Sequence, residues 1–281
     1  MTLCIAWKHE NKIRFTSDSR VSINKDNYSD VGIKVMDIPV KIYHPRDENN
    51  RLEIAYDHML GMCYAGDTIT AHLIKETIND ILRRLQINPL EGEYSLRGIC
   101  NVIEKFAANT AFELKKGIGL ESSIEFLIGG FCHKENDILV YKLELLNCDD
   151  HYEVMVDRVL EDEEEIITLG SGSESADQII ENNDLTQADN LFKVLRQVSL
   201  DKNEPGVGGY LQYGEFGSDN NFKIFGVVDY KIENGILERI YAYRGTGLYK
   251  EEFETGCTAL HIAQTFISPF EDEIQDYLSK I

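Results

Sequence analysis

The order in which strand and helix patterns follow one another is the feature that most restricts the fold of this chain. Strand patterns come in three groups, and a pair of helical patterns separates each group from the next. A doubly wound parallel sheet would need a helix after nearly every strand. The order therefore predicts an α+β protein in which two antiparallel sheets pack face to face with helices outside, because that arrangement buries every apolar face.

The chain begins with a predicted β-hairpin. Leu3–Trp7 and Lys12–Thr16 alternate in polarity, and the polar residues His9-Glu10-Asn11 form the turn between them. Further along, Gly66-Asp67-Thr68 interrupts a strand and supplies capping residues for the first helix, which ends at Asn88-Pro89. The other predicted strands are 34–43, 52–65, 124–131, 137–146, 152–156, 166–169, 209–213, 223–230 and 237–243, and the other helices are 95–117, 174–180 and 188–198.

No linker divides the chain. It has no internal repeat and no segment rich in proline, glycine or serine, and 281 residues are ample for a sizeable core. We therefore expect residues 1–245 to form one domain. The segment 246–281 is predicted to be a C-terminal helical extension with an acidic final helix, packed on the domain or linking subunits. The acidic run Glu161–Glu165 predicts a solvated loop.

The net charge disfavours two classes of partner. Asp and Glu number 49 against 28 Lys and Arg, which gives a formal net charge of −21 at pH 7. Nucleic-acid phosphates and anionic membrane surfaces repel such a polyanion, so we expect neither as a partner. No apolar run approaches the roughly 18 residues of a membrane span, and no signal-peptide pattern opens the chain. We therefore expect a cytoplasmic protein.

Familiar metal and cofactor signatures are absent from the sequence. HExxH, GxSxG and GxxxxGK[ST] do not occur. Gly170-Ser171-Gly172 is loosely like a dinucleotide loop, but a helix follows where a second parallel strand should stand, which disfavours that interpretation. The cysteines form no CxxC pair and have no close histidine partner spaced like a zinc site, so we predict buried, reduced thiols, no metal and no cofactor. The six cysteines are Cys4, Cys63, Cys100, Cys132, Cys148 and Cys257.

The chain start offers a candidate nucleophile. Thr2 follows Met1, a context in which the initiator methionine is commonly removed, and removal would give the threonine a free α-amine. That amine has an ordinary pKa of about 7.7 to 8.0, so it suits the role of base at neutral pH better than a lysine at about 10.4. A lysine held beside the hydroxyl would favour its ionised form, and an aspartate would keep that lysine charged and oriented.

A combination of short motifs resembles a known family. The motifs are Thr2, Ser17-Asp18-Ser19-Arg20, Lys34, Ala65-Gly66-Asp67 before a helix, and Leu169-Gly170-Ser171-Gly172 before another. Together they resemble the proteasome β-subunit group of N-terminal nucleophile hydrolases. The likeness is nearest to the bacterial ancestral β-subunits, which also begin Met-Thr and carry the Ser-Asp-Ser-Arg run, and it covers most of residues 2–230. It implies a four-layer αββα sandwich, which agrees with the element order.

The resemblance implies a catalytic role for three of these residues. Thr2 becomes the nucleophile, and its freed α-amine becomes the general base. Lys34 becomes the cation that lowers the pKa of the hydroxyl, and Asp18 the group that orients the lysine.

The resemblance also implies supporting groups around the threonine. The backbone N–H of Gly66 would form the oxyanion hole, and Ser171 would support the threonine amine. Asp201 matches a further supporting acid after the fourth helix. The second supporting serine of the family has no clear counterpart here unless Ser199 serves.

The activity that follows from the resemblance is that of a threonine peptidase or amidohydrolase, which cleaves through an acyl-enzyme ester. Such subunits form homo-oligomeric rings or spirals and act on peptide or protein substrates; an ATP-dependent unfoldase as a further partner is left open. A catalytically silent scaffold or regulatory subunit with the same fold is one alternative. An amidase that acts on a small molecule is another.

Overall fold

Sixteen strands and five helices make up the part of the chain that the computed structural model describes, which is residues 2–22, 27–46, 51–89, 94–183, 188–249 and 264–280. The chain is therefore of the α+β class, as predicted. The strands are β1 (Cys4–His9), β2 (Lys12–Ser17), β3 (Val21–Ser22), β4 (Tyr28–Ser29), β5 (Val35–Tyr43), β6 (Ile54–Gly66), β7 (Leu85–Gln86), β8 (Ile124–Cys132), β9 (Asp137–Cys148), β10 (His151–Val159), β11 (Ile166–Leu169), β12 (Gln212–Phe216), β13 (Phe222–Glu233), β14 (Ile236–Tyr243), β15 (Thr246–Tyr249) and β16 (Phe266–Ile267). The helices are α1 (Thr68–Ile81), α2 (Leu96–Ile118), α3 (Ser173–Asn183), α4 (Ala188–Leu200) and α5 (Glu271–Leu278).

The first large sheet joins strands from the start, the middle and the end of the chain. Its order is β11-β1-β2-β12-β13-β14-β15, and β16 also pairs with β13. Neighbours along this path are antiparallel, whereas β16 runs parallel to β13. The predicted hairpin of β1 and β2 is confirmed, and it lies between β11 and β12. Segments far apart in sequence therefore meet beside the chain start.

The second large sheet has six strands in the order β10-β9-β8-β6-β5-β7. All its pairs are antiparallel except β5 with β7. The short strand β7 explains why the first predicted helix was too long at its C-terminal end. Leu85 pairs with Ile42 of β5 instead of continuing the helix, which ends at Ile81 and is followed by a 3-10 turn over Leu82–Arg84.

Strands of both sheets are buried on two faces. Successive side chains along a strand point to opposite sides, so neighbouring residues of one strand pack in different clusters. In β8, Phe126 and Ile128 pack in a cluster with residues of α1 and α2, whereas Leu127 between them packs with residues of the eight-stranded sheet. In β1, Trp7 packs with residues of α3 and α4, whereas Ala6 packs with residues of the six-stranded sheet. One buried cluster therefore contains residues of both sheets, and each of the other two joins one sheet to helices.

Local capping fixes the start of the first two helices. The Asp67 carboxylate accepts the Thr70 N–H at 2.7 Å, and the Ser95 hydroxyl accepts the Gly98 N–H at 3.1 Å. The second helix ends later than predicted. Gly119, with a φ of 69°, takes the left-handed position that closes α2, whereas Gly117 remains within the helix.

The C-terminal segment differs in part from the predicted helical extension. The acidic final helix is present as α5, whose first turn holds Glu271, Asp272 and Glu273, where negative charge is favourable. Thr246–Tyr249 and Phe266–Ile267 are strands, because each pairs with a strand of the first sheet. Residues 250–263 lie outside the described residues.

Two further predictions concern the thiols and the membrane. Cys4, Cys63, Cys100 and Cys132 are free and buried, as predicted, and Cys148 is free and half-buried, whereas Cys257 lies outside the described residues. Among the described helices, none is both long and apolar enough to cross a bilayer.

We predict that Gly61→Ala lowers the free energy of unfolding by about 1–3 kcal/mol, as overpacking of a core does. The added methyl group in β6 would lie 2.4 Å from Cδ2 of Phe222 in the other sheet. Gly117→Ala in α2 is the matched control: its methyl group meets nothing within 4 Å, so better helix propensity should raise stability by roughly 0.8–1 kcal/mol. Urea unfolding measures both changes. A Gly61→Ala variant as stable as the wild type would contradict the close approach of the sheets.

Candidate active site

Thr2 and Leu3 lie in the interior of the protein, directly before β1. Thr2 is 2% exposed and Leu3 is fully buried. The end of β2 fixes this segment, since the Leu3 carbonyl accepts hydrogen bonds from the Ser17 hydroxyl at 3.0 Å and from the Asp18 N–H at 3.3 Å. The β1–β2 hairpin therefore places Asp18 beside the chain start.

The Asp18 carboxylate is a hub for four donors. Its Oδ1 accepts the Leu3 N–H at 3.0 Å and the Lys34 ammonium at 2.8 Å. Its Oδ2 accepts the N–H groups of Arg20 and Gly208, each at 3.0 Å. An ionised carboxylate has about four lone-pair sites, so these donors use its accepting capacity fully. The side chain is fully buried, and its orientation is fixed from all sides.

The Lys34 ammonium forms an ion pair with Asp18 that is removed from solvent, and both side chains are 0% exposed. A buried ammonium without a partner would be very costly, which explains why the pair is needed. The Leu3 nitrogen and Lys34 Nζ bind the same oxygen, Asp18 Oδ1, at 3.0 and 2.8 Å. The distance between the two nitrogens is therefore at most the sum of these two hydrogen-bond lengths. The positive charge therefore lies next to the peptide bond between Thr2 and Leu3.

The loop between β11 and α3 holds Thr2 from the other side. The Thr2 backbone nitrogen donates to the Ser171 hydroxyl at 3.3 Å, and the Thr2 carbonyl accepts the Gly172 N–H at 3.2 Å. Gly170 has a φ of 93°, and a Cβ there would lie 2.3 Å from the Thr2 carbonyl oxygen. Only glycine allows the loop to approach Thr2 this closely.

Gly66 lies at the end of β6, close to the same loop. The side chain of its neighbour Ala65 would lie 3.0 Å from a Cβ added at Gly170. Gly66 itself has a φ of 118°, and a Cβ there would lie 2.1 Å from the Ser123 carbonyl oxygen. Gly66 is solvent-exposed, so its backbone borders an accessible surface.

Asp201 lies elsewhere. It is exposed in the turn after α4, and its Oδ1 accepts the backbone N–H and the side-chain amide of Asn203 at 2.8 and 3.0 Å. The Ser199 hydroxyl donates to the carbonyl of Arg196 within the same helix, at 2.7 Å. Among the contacts of the described residues, neither side chain joins the group around Thr2. From the same connection it is the Gly208 N–H that reaches Asp18.

The structure adds an outer ion pair that sequence reasoning missed. The Arg20 guanidinium binds Asp30 with two bonds of 2.7 and 3.1 Å and donates to the Pro205 carbonyl at 3.1 Å. Hydrogen bonding and charge attraction by Asp30 raise the pKa of Arg20 above its ordinary value. This bridge holds the loop that carries Gly208 against the end of β2. The Ser-Asp-Ser-Arg run was the available signal, since Arg20 follows Asp18 so closely.

Gln212 is the second residue that sequence reasoning missed. It is 2% exposed, at the start of β12. Its side-chain amide hydrogen-bonds the backbone on both sides of the ion pair, at Asp18 and at Lys34. The available signal is an uncharged polar residue between Leu211 and Tyr213, in a strand that is otherwise mostly buried.

Two of the buried thiols, Cys63 and Cys100, are poor nucleophiles. Burial raises the pKa of Cys63 well above its ordinary value and that of Cys100 to about 12. Both are therefore protonated at neutral pH, and the thiolate is the reactive form of cysteine.

One cluster in the described part of the chain has metal-binding residue types. Ligand atoms of Cys148, His151 and Glu153, around the β9–β10 turn, lie within 4.8 Å of one another. His151 therefore lies beside a cysteine, although the cysteines were predicted to have no close histidine partner. The His151 ring nitrogens already contact Asp150 at 2.8 Å and Glu153 at 3.1 Å, and the group is exposed apart from the half-buried Cys148. It lies outside the contacts described around Thr2.

Comparison with known proteins bears on the fold of the whole chain. No family model and no curated protein matches the sequence. Solved structures do match, and they show that this chain shares its fold with ancestral β-subunit proteins, as the resemblance in the sequence implied.

The individual matches are long in coverage and low in identity. An Anbu (Gly-1) mutant from Hyphomicrobium sp. strain MC1 is similar with a TM-score of 0.54 and 15% identity, over 100% of this chain and 98% of that chain. Anbu (ancestral beta-subunit) from Yersinia bercovieri is similar with a TM-score of 0.50 and 16% identity, over 79% of this chain and 86% of that chain. At these identities, the comparison establishes similarity of fold.

We predict that Lys34→Met lowers the free energy of unfolding by about 3–5 kcal/mol, because it leaves the Asp18 carboxylate buried without its counter-charge. Lys41→Met is the matched control. The Lys41–Asp57 pair has a similar distance of 3.0 Å but is exposed, so its loss should change stability by less than about 1 kcal/mol. Urea unfolding compares the two variants. Equal, small losses would contradict a buried ion pair at Lys34.

Proposed function

We propose that this chain is a threonine-type N-terminal nucleophile hydrolase, a peptidase or amidase, that acts through Thr2 after removal of Met1. The observation that carries the proposal is the buried Lys34–Asp18 ion pair, whose Asp18 Oδ1 also binds the amide directly after Thr2. A charge pair placed there is difficult to explain by stability alone, because a buried ion pair often contributes no more than apolar side chains of similar volume.

The proposed reaction begins with a proton transfer at the chain start. The freed α-amine of Thr2 takes the proton from the Thr2 hydroxyl, whose oxygen attacks the carbonyl carbon of the scissile amide. The C–N bond then breaks, the amine passes that proton to the leaving nitrogen, and an acyl-enzyme ester remains. Water, deprotonated by the same amine, cleaves the ester and releases the acid.

The neighbouring charges have separate tasks in this proposal. The Lys34 ammonium stabilises the developing negative charge on the Thr2 oxygen, and Asp18 keeps the ammonium charged and in place. Lysine serves poorly as the base, because its ordinary pKa of about 10.4 is far above neutral pH. The amine nitrogen lies where Thr2 N now contacts the Ser171 hydroxyl at 3.3 Å, so Ser171 gives it a hydrogen-bond partner.

The Gly66 N–H is the proposed oxyanion donor. A preorganised donor of this kind contributes about 2.7–4 kcal/mol to stabilisation of the transition state. The approach of Ala65 to the Gly170 loop and the exposure of Gly66 support this assignment. The Asp201 side chain does not join the group described around Thr2, so its proposed supporting role is indirect. It would act by holding the loop that carries Gly208.

We also propose the arrangement in which the site works. The buried clusters favour a four-layer αββα sandwich over residues 1–245, with 246–281 as an extension that packs on the domain or links subunits. The chain is proposed to assemble as a homo-oligomeric ring or spiral in the cytoplasm and to act on peptides or proteins without a cofactor. Leu200 and Ile232, 72% and 45% exposed, line a cleft of about 690 Å³ that would suit a subunit contact.

We predict that Thr2→Ala abolishes covalent capture of an electrophile directed at N-terminal threonine, whereas Thr2→Ser retains it. Both variants keep a small second residue, so both remain in a context that favours Met1 removal. Intact-mass analysis reports removal of Met1, and peptide mapping locates the modified residue. Capture by Thr2→Ala, or modification outside the first peptide of the wild type, would refute the nucleophile assignment.

A catalytically silent subunit with this fold is the competing candidate. The position of Asp201 in its own turn, where its carboxylate accepts the Asn203 N–H, favours it. Purified protein that assembles, retains Met1 and captures no electrophile would be the silent subunit. A processed protein that hydrolyses small amides but no peptides would be the amidase.

A further inference from the structure

Gln212 has a buried side-chain amide with every hydrogen-bonding capacity filled. Its Nε2 donates to the carbonyls of Gly32 at 2.7 Å and Asp18 at 3.1 Å. Its Oε1 accepts the N–H groups of Lys34 at 2.9 Å and Val35 at 3.3 Å. A primary amide has two donors and two lone pairs, and exchanging oxygen and nitrogen would set like groups against each other. The orientation of the amide is therefore unique.

These four bonds connect the two sheets at the site. Gln212 belongs to β12 and pairs with Ser17 of β2 in the first sheet, directly before Asp18. Lys34 directly precedes β5 of the second sheet, and the β5–β6 pairing begins only at Val35. The backbone of the Gly32–Lys34 segment is thus held by the Gln212 amide and by the Gly32 N–H, which donates to the Ser19 carbonyl at 2.8 Å, rather than by a neighbouring strand.

We infer that Gln212 is a positioning residue that sets the location of the Lys34 ammonium relative to Asp18 and the Thr2 amine. The inference rests on the proposed function and deepens it. Gln212 acts through the backbone of Lys34 and is not itself a catalytic residue. Its loss would free Lys34 more than Asp18, because the Asp18 carboxylate keeps the N–H groups of Leu3, Arg20 and Gly208.

The charged groups around Thr2 determine how a displacement of the Lys34 ammonium would change the protonation of the Thr2 amine. Asp18 and Lys34 are nearest, and Glu125 approaches the loop side, where its Oε2 accepts the Gly170 N–H at 3.4 Å. Glu125 is already paired with Lys142 at 2.6 Å, Arg20 is paired with Asp30, and Asp67 caps α1. Moving the Lys34 ammonium away removes the positive charge that disfavours protonation of the Thr2 amine. The pH at which the amine becomes a working base should therefore rise.

The test compares Gln212→Met with Thr16→Val in the processed full-length protein. Met keeps the size of the side chain and removes all four bonds. Thr16→Val is the matched control, because the buried Thr16 hydroxyl donates to the Gln212 backbone carbonyl, at 2.8 Å, in the same strand pair and not to the side-chain amide. The rate constant for electrophile capture at Thr2 is measured across pH for each protein. We expect Gln212→Met to be slower by roughly 10- to 100-fold, with its half-maximal rate at higher pH.

The control decides between positioning and simple destabilisation. Thr16→Val should keep the wild-type midpoint, even though a buried hydrogen bond is lost. If Gln212→Met also keeps the wild-type midpoint and rate, or if Thr16→Val shifts as far, the inference is overturned.

A second measurement distinguishes failure of this inference from failure of the proposed function. If the wild type captures no electrophile, the proposed function fails, and urea unfolding then tests Gln212 alone. Gln212→Met should lower the free energy of unfolding more in the wild-type background than in the Lys34→Met background. The reason is that the amide positions the ion pair, which Lys34→Met has already removed. Equal costs in both backgrounds would overturn the inference whatever the activity.

Discussion

The ion pair between Asp18 and Lys34 is the interaction on which the rest of the site depends. Both side chains are closed off from solvent, and the carboxylate also accepts three backbone N–H groups. Removing two charges from water costs several kcal/mol per ion, so such a pair persists only where the surrounding donors are already in place. Leu3 and Arg20 flank the β1–β2 hairpin, whereas Gly208 lies 190 positions from Asp18 along the chain. The pair is therefore a product of the complete sheet arrangement.

The sheets account for this convergence. β1 lies between β11 and β2. The segment before it, Thr2 and Leu3, is therefore enclosed by the loop that follows β11 and by the end of β2. β12 then places Gln212 beside the end of β2 and against the start of β5 in the second sheet. Close approach depends on residues without side chains, and Gly170 and Gly66 take backbone conformations with positive φ where other chain segments contact them. Thr2 is therefore enclosed because of the order of the strands in the sheets and because glycines allow close approach of the chain beside it.

Local patterns predicted more of the fold than of the site. The bounds of β11, Ile166–Leu169, agree with the prediction, because an apolar run that ends in glycine is a local signal. Thr2, Asp18 and Lys34 were predicted from a resemblance, and the fold brings them together. Asp201 shows that position in the sequence alone is a weak guide to a site. An acid in a polar turn can cap its own turn as readily as it supports a distant site. Gln212 was missed because its partners Lys34 and Asp18 lie 178 and 194 positions away, and no local pattern reports such contacts.

The pKa of the Thr2 α-amine in the processed protein tests the central claim most directly. Nitrogen NMR of threonine-labelled protein would follow its titration in the wild type and in Lys34→Met. We predict titration below the ordinary range of about 7.7 to 8.0, because burial and the adjacent ammonium both disfavour the charged amine. We also predict a higher pKa in Lys34→Met. An amine that titrates at or above the ordinary range in the wild type, unchanged by that substitution, would show that the Lys34 ammonium does not act on Thr2.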